Sequence, residues 1–415
     1  MSLNSTPQAD RLHIAFFGRR NAGKSSLVNA VTGQDLAIVS DQKGTTTDPV
    51  FKSMELLPLG PVVIIDTPGI DDEGALGELR VQRARRVLNK TDVAVLVVDL
   101  DASPNGALLA DEEELAGIFK KKNIPFIIAR NKCDLIPENQ GQGAKGGGKT
   151  GDLPLPAVHS LSVSAKTGSN INELKEMIAA IVSGDEGKAP LVGDLVRPGD
   201  FTLLVIPIDK AAPKGRLILP QQQTIRGILD NGAVAIAVRE SELAETLVSL
   251  GKKPAVVITD SQVFAEVSAA VPSDIPLTSF SILFARYKGF LNTAIHGVKA
   301  LDTIRDNDKI LITEGCTHHR QCEDIGTIKL PRWIREYTGV KPDFKFCSGV
   351  EFPEDLSGFR LVVHCGACML NDREMQSRRL SAEDQNIPFT NYGTIIAHMK
   401  GILKRSIAMF DIDYE

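Results

Sequence analysis

Gly18-Arg19-Arg20-Asn21-Ala22-Gly23-Lys24-Ser25 sets glycines, a lysine and a hydroxyl at the spacing that turns backbone N–H groups toward phosphates. Lys24 is placed to reach the β- and γ-phosphates and Ser25 to ligate magnesium, with Ser26 continuing the loop into a helix. Asp66-Thr67-Pro68-Gly69 adds a carboxylate for the magnesium shell and a Gly69 N–H for the γ-phosphate. Asn131-Lys132-Cys133-Asp134 reads the base: a carboxylate at Asp134 accepts both N1–H and the 2-amino group of guanine. Adenine offers neither donor, and rejection on that basis reaches about 10⁴–10⁵. Ser164-Ala165-Lys166 supplies the loop behind the base. A second constellation lies far downstream, Cys316-Thr317-His318 and then His364-Cys365-Gly366-Ala367-Cys368, with the thiols and imidazoles of a metal centre.

The elements that must position these groups are legible as apolar runs. Leu12 to Phe17 ends at Gly18 and an amphipathic stretch begins at Lys24, the strand–loop–helix context a phosphate loop requires. Val62 to Ile65 and Ile124 to Ala129 are strands that deliver Asp66 and Asn131, and Val163 precedes Ser164. Motifs at the C-terminal ends of successive strands place a ligand where open α/β sheets bind one. The first part of the chain is therefore a guanine-nucleotide-binding α/β domain. Gln140 to Asp152 breaks this pattern with a Gly-rich run, expected to be a flexible surface insertion; its Gly-Lys-Thr follows no strand.

Beyond the helix expected at Ile171 to Val182, Gly184 to Pro190 reads as a linker. Strand-like runs at Thr202 to Ile208, Ala233 to Val238 and Ala255 to Thr259 alternate with helical patterns at Gln221 to Leu229 and Ser241 to Leu250. This small α/β module carries no catalytic constellation and is assigned to self-association; Lys210, Lys214 and Arg216 read as a solvated loop. The strand–helix alternation resumes in the last third, yet no internal repeat stands out. There Lys309 to Thr313 leads into Cys316, and Phe359 to Val363 leads into Cys365. The residues after Cys368 read as a helix whose first-turn N–H groups would support thiolate charge. The expected division is a flexible 1–10, a GTPase domain 11–185, a dimerisation module 186–275 and a metal domain 276–415.

The whole composition fits an ordinary globular chain. Of 415 residues, 43% are hydrophobic and 24% charged, enough for several domains with their own cores. The net charge of −5, without a long basic run, argues against nucleic acid as the main partner. Apolar runs such as Val93 to Leu100 are strand-length, short of the roughly 20 residues of a membrane helix. The polar start and six cysteines in so large a chain point to a cytoplasmic protein whose thiols are ligands or buried groups.

The nucleotide motifs resemble those of TrmE–Era-type GTPases. The resemblance makes Gly44-Thr45-Thr46-Thr47-Asp48 a switch I, with Thr45 in it and Thr46 the residue that sees magnesium and the γ-phosphate. It gives Lys24, Thr46, Gly69 and Asn21 the catalytic positions, Asn21 matching the asparagine with which potassium-activated relatives hold a monovalent cation. Ile70 stands where Ras-like proteins carry a water-orienting Gln, so unassisted hydrolysis should be slow, of order 10⁻⁴–10⁻² s⁻¹.

The cysteine set alone leaves two metals open. Three thiolates and a histidine would close a tetrahedral zinc site, whereas a 4Fe–4S cluster takes its fourth iron ligand from something weaker. His318, His319, His364 and Glu323 are candidates for that position. A GTPase of this type joined to Cys-x-His…His-Cys-x-x-Cys resembles the HydF family of FeFe-hydrogenase maturation GTPases, over nearly the whole chain. The resemblance implies a GTPase domain, a dimerisation domain and a 4Fe–4S domain held by Cys316, Cys365 and Cys368, with His318 and His364 the motif histidines. It also implies a carrier that accepts a diiron precursor from radical S-adenosylmethionine enzymes and delivers it to the apo-hydrogenase, as a homodimer or larger homo-oligomer. The alternative is a regulatory GTPase with a structural zinc module in ribosome or RNA assembly.

Overall fold

A computed structural model describes residues 6–34, 48–69, 86–102, 107–135, 159–182, 189–208, 217–315, 324–349, 351–410 and 412. Thr45, Thr46, Ile70, the 140–152 insertion, Lys210, Lys214, Arg216, Cys316, His318, His319 and Glu323 lie outside the described residues. The chain divides into two compact units, 1–186 and 187–415.

In the first unit a six-stranded sheet runs in the order β2-β3-β1-β4-β5-β6. Its strands are β1 (Leu12–Phe17), β2 (Val50–Leu56), β3 (Gly60–Asp66), β4 (Val93–Asp99), β5 (Phe126–Asn131) and β6 (His159–Ser162). All pairs are parallel except β2 against β3. The central strands are buried on both faces, which is why they read as unbroken apolar runs rather than alternating ones. Ile14 and Phe16 face a core that includes Leu27 of helix α1 (Lys24–Thr32) and Leu174 of α3 (Ile171–Val182). Ala15 and Phe17 face the opposite core with Leu115 and Phe119 of α2 (Ala110–Lys121).

The second unit holds two four-stranded parallel sheets, ordered β10-β9-β7-β8 and β12-β11-β13-β14. The first is built from β7 (Phe201–Val205), β8 (Val234–Val238), β9 (Val256–Thr259) and β10 (Leu277–Ser279). Its helices are α4 (Leu219–Asp230), α5 (Leu243–Ser249), α6 (Phe264–Ala270), α7 (Phe280–Tyr287) and α8 (Leu291–Gly297). The second sheet comprises β11 (Lys309–Glu314), β12 (Asp343–Ser348), β13 (Leu361–His364) and β14 (Phe389–Asn391). Helices α9 (Leu330–Thr338), α10 (Asp372–Asp384), α11 (Tyr392–Met399) and α12 (Leu403–Ile407) accompany it.

Contrary to the sequence reading, this unit is an internal repeat. In each sheet the first strand of the copy sits second from an edge, with its successor outside it and the third and fourth strands on its other side. Details recur pairwise. Asp200 accepts from the Arg197 N–H before β7, and Asp308 accepts from the Arg305 N–H before β11. Leu219-Pro220 opens α4 and Leu330-Pro331 opens α9. Thr278-Ser279-Phe280 enters α7, Thr390-Asn391-Tyr392 enters α11, and Ser279 and Asn391 both cap their helices. Lys288-Gly289-Phe290-Leu291 and Lys400-Gly401-Ile402-Leu403 follow, both glycines at positive φ. Even the ion pair Arg286–Asp194 has its counterpart in His398–Asp302. The two copies exchange last helices: α8 packs on β14, and α12 packs on β10. Thr390 Oγ1 donates to the Ala294 carbonyl at 2.9 Å across that exchange. One continuous core runs through both sheets, so the copies form a single unit. Among the described residues no helix is long and apolar enough to cross a membrane.

Candidate functional site

The nucleotide motifs converge at the C-terminal edge of the first sheet. Gly18 turns the chain out of β1 so close to β4 that a methyl group there would strike the Val97 carbonyl. Asn21 adopts φ 61°, and Gly23 caps α1 in the left-handed region. Lys24 is buried and donates to the carbonyls of Gly18 (3.0 Å) and Arg19 (2.8 Å). Arg19 lies 3.7 Å from Asp111. Ser25 Oγ donates to Asp66 Oδ2 at 2.6 Å, while Asp66 Oδ1 is buried without a protein partner. Burial pushes the Asp66 carboxyl upward, opposed by the Ser25 hydrogen bond and the Lys24 charge. A buried carboxylate oxygen lacking a donor, beside a hydroxyl, fits a magnesium ion: Ser25 and Asp66 would hold it, and it would neutralise phosphate charge. Thr67 Oγ1 fastens β3 to β1 through the Phe16 carbonyl at 2.7 Å, and Gly69 is buried at the end of that segment.

The base-reading loops are tied to this cradle. Asn131 Nδ2 donates to the Ala22 carbonyl at 3.0 Å, and its Oδ1 accepts from the Ala165 N–H at 3.1 Å. One amide therefore clamps the phosphate loop to the Ser164-Ala165-Lys166 loop. Ser164 Oγ donates to Asp134 Oδ1 at 2.6 Å and accepts from the Thr167 N–H, which orients the carboxylate. Lys132, at φ 66°, pairs with Asp99 at 2.5 Å, and Lys166 is exposed. The phosphate loop, the Asp134 carboxylate and the Ser164-Ala165-Lys166 loop are thereby held together as one fixed edge.

In the second unit, Gly315 and Cys365 follow β11 and β13, the pair between which the strand order reverses direction. Such a point is where open parallel sheets receive ligands. Cys365 Sγ accepts from the Gly315 N–H at 3.1 Å and from the Ala367 N–H at 3.4 Å. Ala367 reaches that position through φ 59°. Burial pushes the Cys365 thiol up, and the two N–H groups oppose it. The two N–H groups on Cys365 come from Gly315 and from the turn itself, while α10 begins at Asp372, with Asn371 Oδ1 capping the Glu374 N–H at 3.1 Å. On the same side, buried Glu314 accepts from Tyr392 Oη at 3.3 Å, and burial drives that phenol well upward.

His364 closes β13 immediately before Cys365. Its ring is fully buried, Nδ1 lies 2.9 Å from the Cys365 carbonyl, and Nε2 lies 3.2 Å from Arg378 Nη1. Burial and the Arg378 charge lower it to about 3. Both nitrogens are engaged within the protein. Sequence reasoning passed over Arg378 and Glu314; buried charge is invisible to a polar-helix pattern, and only the Glu314-Gly315-Cys316 adjacency hinted at the second. Among the described residues no three His, Cys, Asp or Glu side chains converge as a metal site. Cys347 is half-buried on β12, paired in register with Thr313 of β11.

Residues 13–132 match the family model described as 50S ribosome-binding GTPase. Residues 191–289 match the hydrogen maturase F dimerization domain, and residues 292–409 its tetramerization domain. The chain belongs to the hydrogen maturase F family. Those two maturase domains follow the two copies of the repeat except at α8, the first copy's last helix, which falls within the second match. GTPase Der of Thermomicrobium roseum is 32% identical over 196 residues, covering 45% of this chain and 41% of Der. The tRNA modification GTPase MnmE of a Synechococcus species is 36% identical over 173 residues, 41% of this chain and 34% of MnmE. The chain thus spans less than half the length of these curated relatives. A solved Era structure from Aquifex aeolicus with GDP and aluminium fluoride matches at 21% identity and TM-score 0.35, over 58% of this chain and 98% of that one. The first unit of this hydrogen maturase F member is a GTPase domain.

Proposed function

We propose that the protein is a GTP-hydrolysing scaffold for hydrogenase maturation that carries a 4Fe–4S cluster, accepts a diiron precursor and hands it to the apo-hydrogenase. The observation that carries this reading is the union of a GTPase domain with the two maturase assembly domains, the second bearing thiols at its sheet's switch point. In this reading 11–185 is the GTPase domain, 186–275 the dimerisation module and 276–415 the cluster domain. Lys24, Ser25, Thr46, Asp66 and Gly69 handle magnesium and the γ-phosphate, while Asn131 and Asp134 choose guanine. Asn21 holds potassium near the developing charge.

Cys365 and Cys368, with Cys316, would hold the cluster. Backbone N–H groups at 3.1 and 3.4 Å from Cys365 Sγ suit a thiolate, so the residues present fit the group. A cluster with one weakly held iron would supply an exchangeable attachment point for the diiron unit. GTP state would set partner exchange through differential contacts in two conformations. Radical S-adenosylmethionine enzymes and the apo-hydrogenase are the partners, met by a homo-oligomer in the cytoplasm.

Anaerobic purification with iron, sulfide and zinc analysis, beside reduced-state EPR, tests the reading. About four irons per chain and a 4Fe–4S signal lost in Cys365→Ser support it. One zinc and no chromophore after attempted reconstitution would overturn it in favour of a regulatory GTPase with a zinc module.

A further inference from the structure

The internal repeat supplies a comparison inside one chain: a copy with thiols and a copy without. The strand registers set Thr259 of the first copy at the place of His364 in the second, and Val205 at that of Thr313. Continuing the register, Asp260 stands for Cys365 and Val263 for Cys368. The scaffold features, caps, turns and the matching Arg286–Asp194 and His398–Asp302 contacts, recur in both. His364 does not, and α6, which follows β9 as α10 follows β13, contains no arginine where α10 carries Arg378. A buried histidine and a buried arginine thus accompany the thiols, and the copy without thiols has neither at the equivalent places.

Their geometry says what they do. A guanidinium only donates, so at 3.2 Å from Arg378 Nη1 the His364 Nε2 must accept. The ring proton therefore sits on Nδ1, which donates to the Cys365 carbonyl at 2.9 Å. Arg378 in turn is fixed on every side. Its Nε and Nη2 donate to Glu374 Oε1 at 3.1 and 2.9 Å, Nη2 also to the Gly349 carbonyl, and Nη1 makes a long contact of 3.5 Å with Thr313 Oγ1. One guanidinium ties β11, the end of β12 and β13 to the helix that follows the Cys-x-x-Cys turn.

We propose that His364 and Arg378 are positioning residues: Arg378 holds His364 in one tautomer, and His364 holds the Cys365 carbonyl, which aims the turn bearing the Cys365 and Cys368 thiols. His364 is accordingly not the fourth iron ligand. The cluster part of this proposal rests on the reading above; the positioning part stands on the turn itself.

The test uses the full chain as wild type, Arg378→Met, Arg378→Lys and His364→Asn, each shown folded by near-UV circular dichroism and elution volume. In cluster-free protein, alkylation of Cys365 and Cys368 by iodoacetamide is followed by mass spectrometry. Arg378→Met and His364→Asn should both raise the rate, and wild-type rates in both would overturn the positioning role. In reconstituted protein, loss of iron to a chelator should accelerate about 10- to 100-fold in both variants, the usual effect of removing an outer partner of a metal ligand. Arg378→Lys should not restore wild-type behaviour, because one ammonium cannot span Glu374, Gly349 and His364; full restoration counts against the fork. Pulsed EPR of the reduced cluster with ¹⁵N-labelled histidine decides the ligand question. His364→Asn should leave any histidine coupling intact, and loss of a strong coupling in that variant alone would make His364 a ligand and overturn the proposal. A wild type that takes up no iron fails the cluster reading, while the alkylation rates still judge the positioning role.

Discussion

At the scale of single residues, one side chain holds two loops of the GTPase domain together. Asn131 clamps Ala22 to Ala165, so Asn131→Ala leaves a buried carbonyl and an N–H without partners. The expected cost is about 1–3 kcal/mol, read as an earlier urea midpoint, together with weaker binding of a fluorescent GDP analogue. An unchanged midpoint would contradict the clamp. Asn21 sits at φ 61° in the phosphate loop; if it holds potassium, wild type turns over GTP faster in potassium than in sodium, and Asn21→Ala removes the difference. Equal wild-type rates in the two buffers would exclude that role. That Lys24, Ser25, Asp66, Asn131 and Asp134 meet at one edge of the sheet was legible in the sequence because each of their motifs follows an apolar strand run. Arg378 was not. It lies in Asp372–Asp384, whose polarity reads as a solvated helix, and only packing places its guanidinium at 2% side-chain exposure beside Glu374.

Elements were legible where burial on both faces wrote continuous apolar runs: Leu12–Phe17 and Ile171–Val182 fall where the patterns put them, and β7, β8, β9, β11 and β13 within a few residues. The repeat escaped because its signature is spread over caps, turns and helix starts, with Phe280 against Tyr392 and Ser279 against Asn391 rather than identical words. The equivalent caps make a graded prediction. Asn391 accepts from the Thr394 N–H at 2.8 Å and also donates to the Ser281 carbonyl at 2.9 Å, whereas Ser279 accepts from Ile282 N at 3.3 Å. Asn391→Ala should therefore cost about 1–2 kcal/mol and Ser279→Ala about half as much. Where helix exchange brings α8 against β14, Gly297 leaves no room before the Phe389 backbone. Overpacking there costs about 1–3 kcal/mol, so Gly297→Ala should lower the melting temperature of the 187–415 unit by several degrees. A melting curve superimposable on wild type would mean the two copies are not in such close contact.

On the scale of the molecule, the two assembly domains are separate in sequence and joined in structure. Buried side chains of both sheets belong to one core, from Val192 and Leu203 through Ile312 to Phe410. Arg405 of α12 donates to the carbonyls of Ser268 (3.0 Å) and Val271 (2.9 Å) in the first copy, and Thr390 reaches back to Ala294. A copy cut from its partner would expose the apolar surfaces under α8 and α12 and strand those polar groups at once. Apolar burial contributes about 25 cal/mol per Å², and net domain stabilities are only about 5–15 kcal/mol, so losing one whole sheet's packing exceeds what a single copy can spare. A chain ending at residue 298 should accordingly keep a folded GTPase unit while its 187–298 segment becomes protease-sensitive and fails to self-associate. Co-expression of 299–415 should restore both protection and assembly. If the truncated chain instead forms a protease-resistant dimer by itself, the copies are independent domains and the exchanged helices are ornament to them rather than their common support.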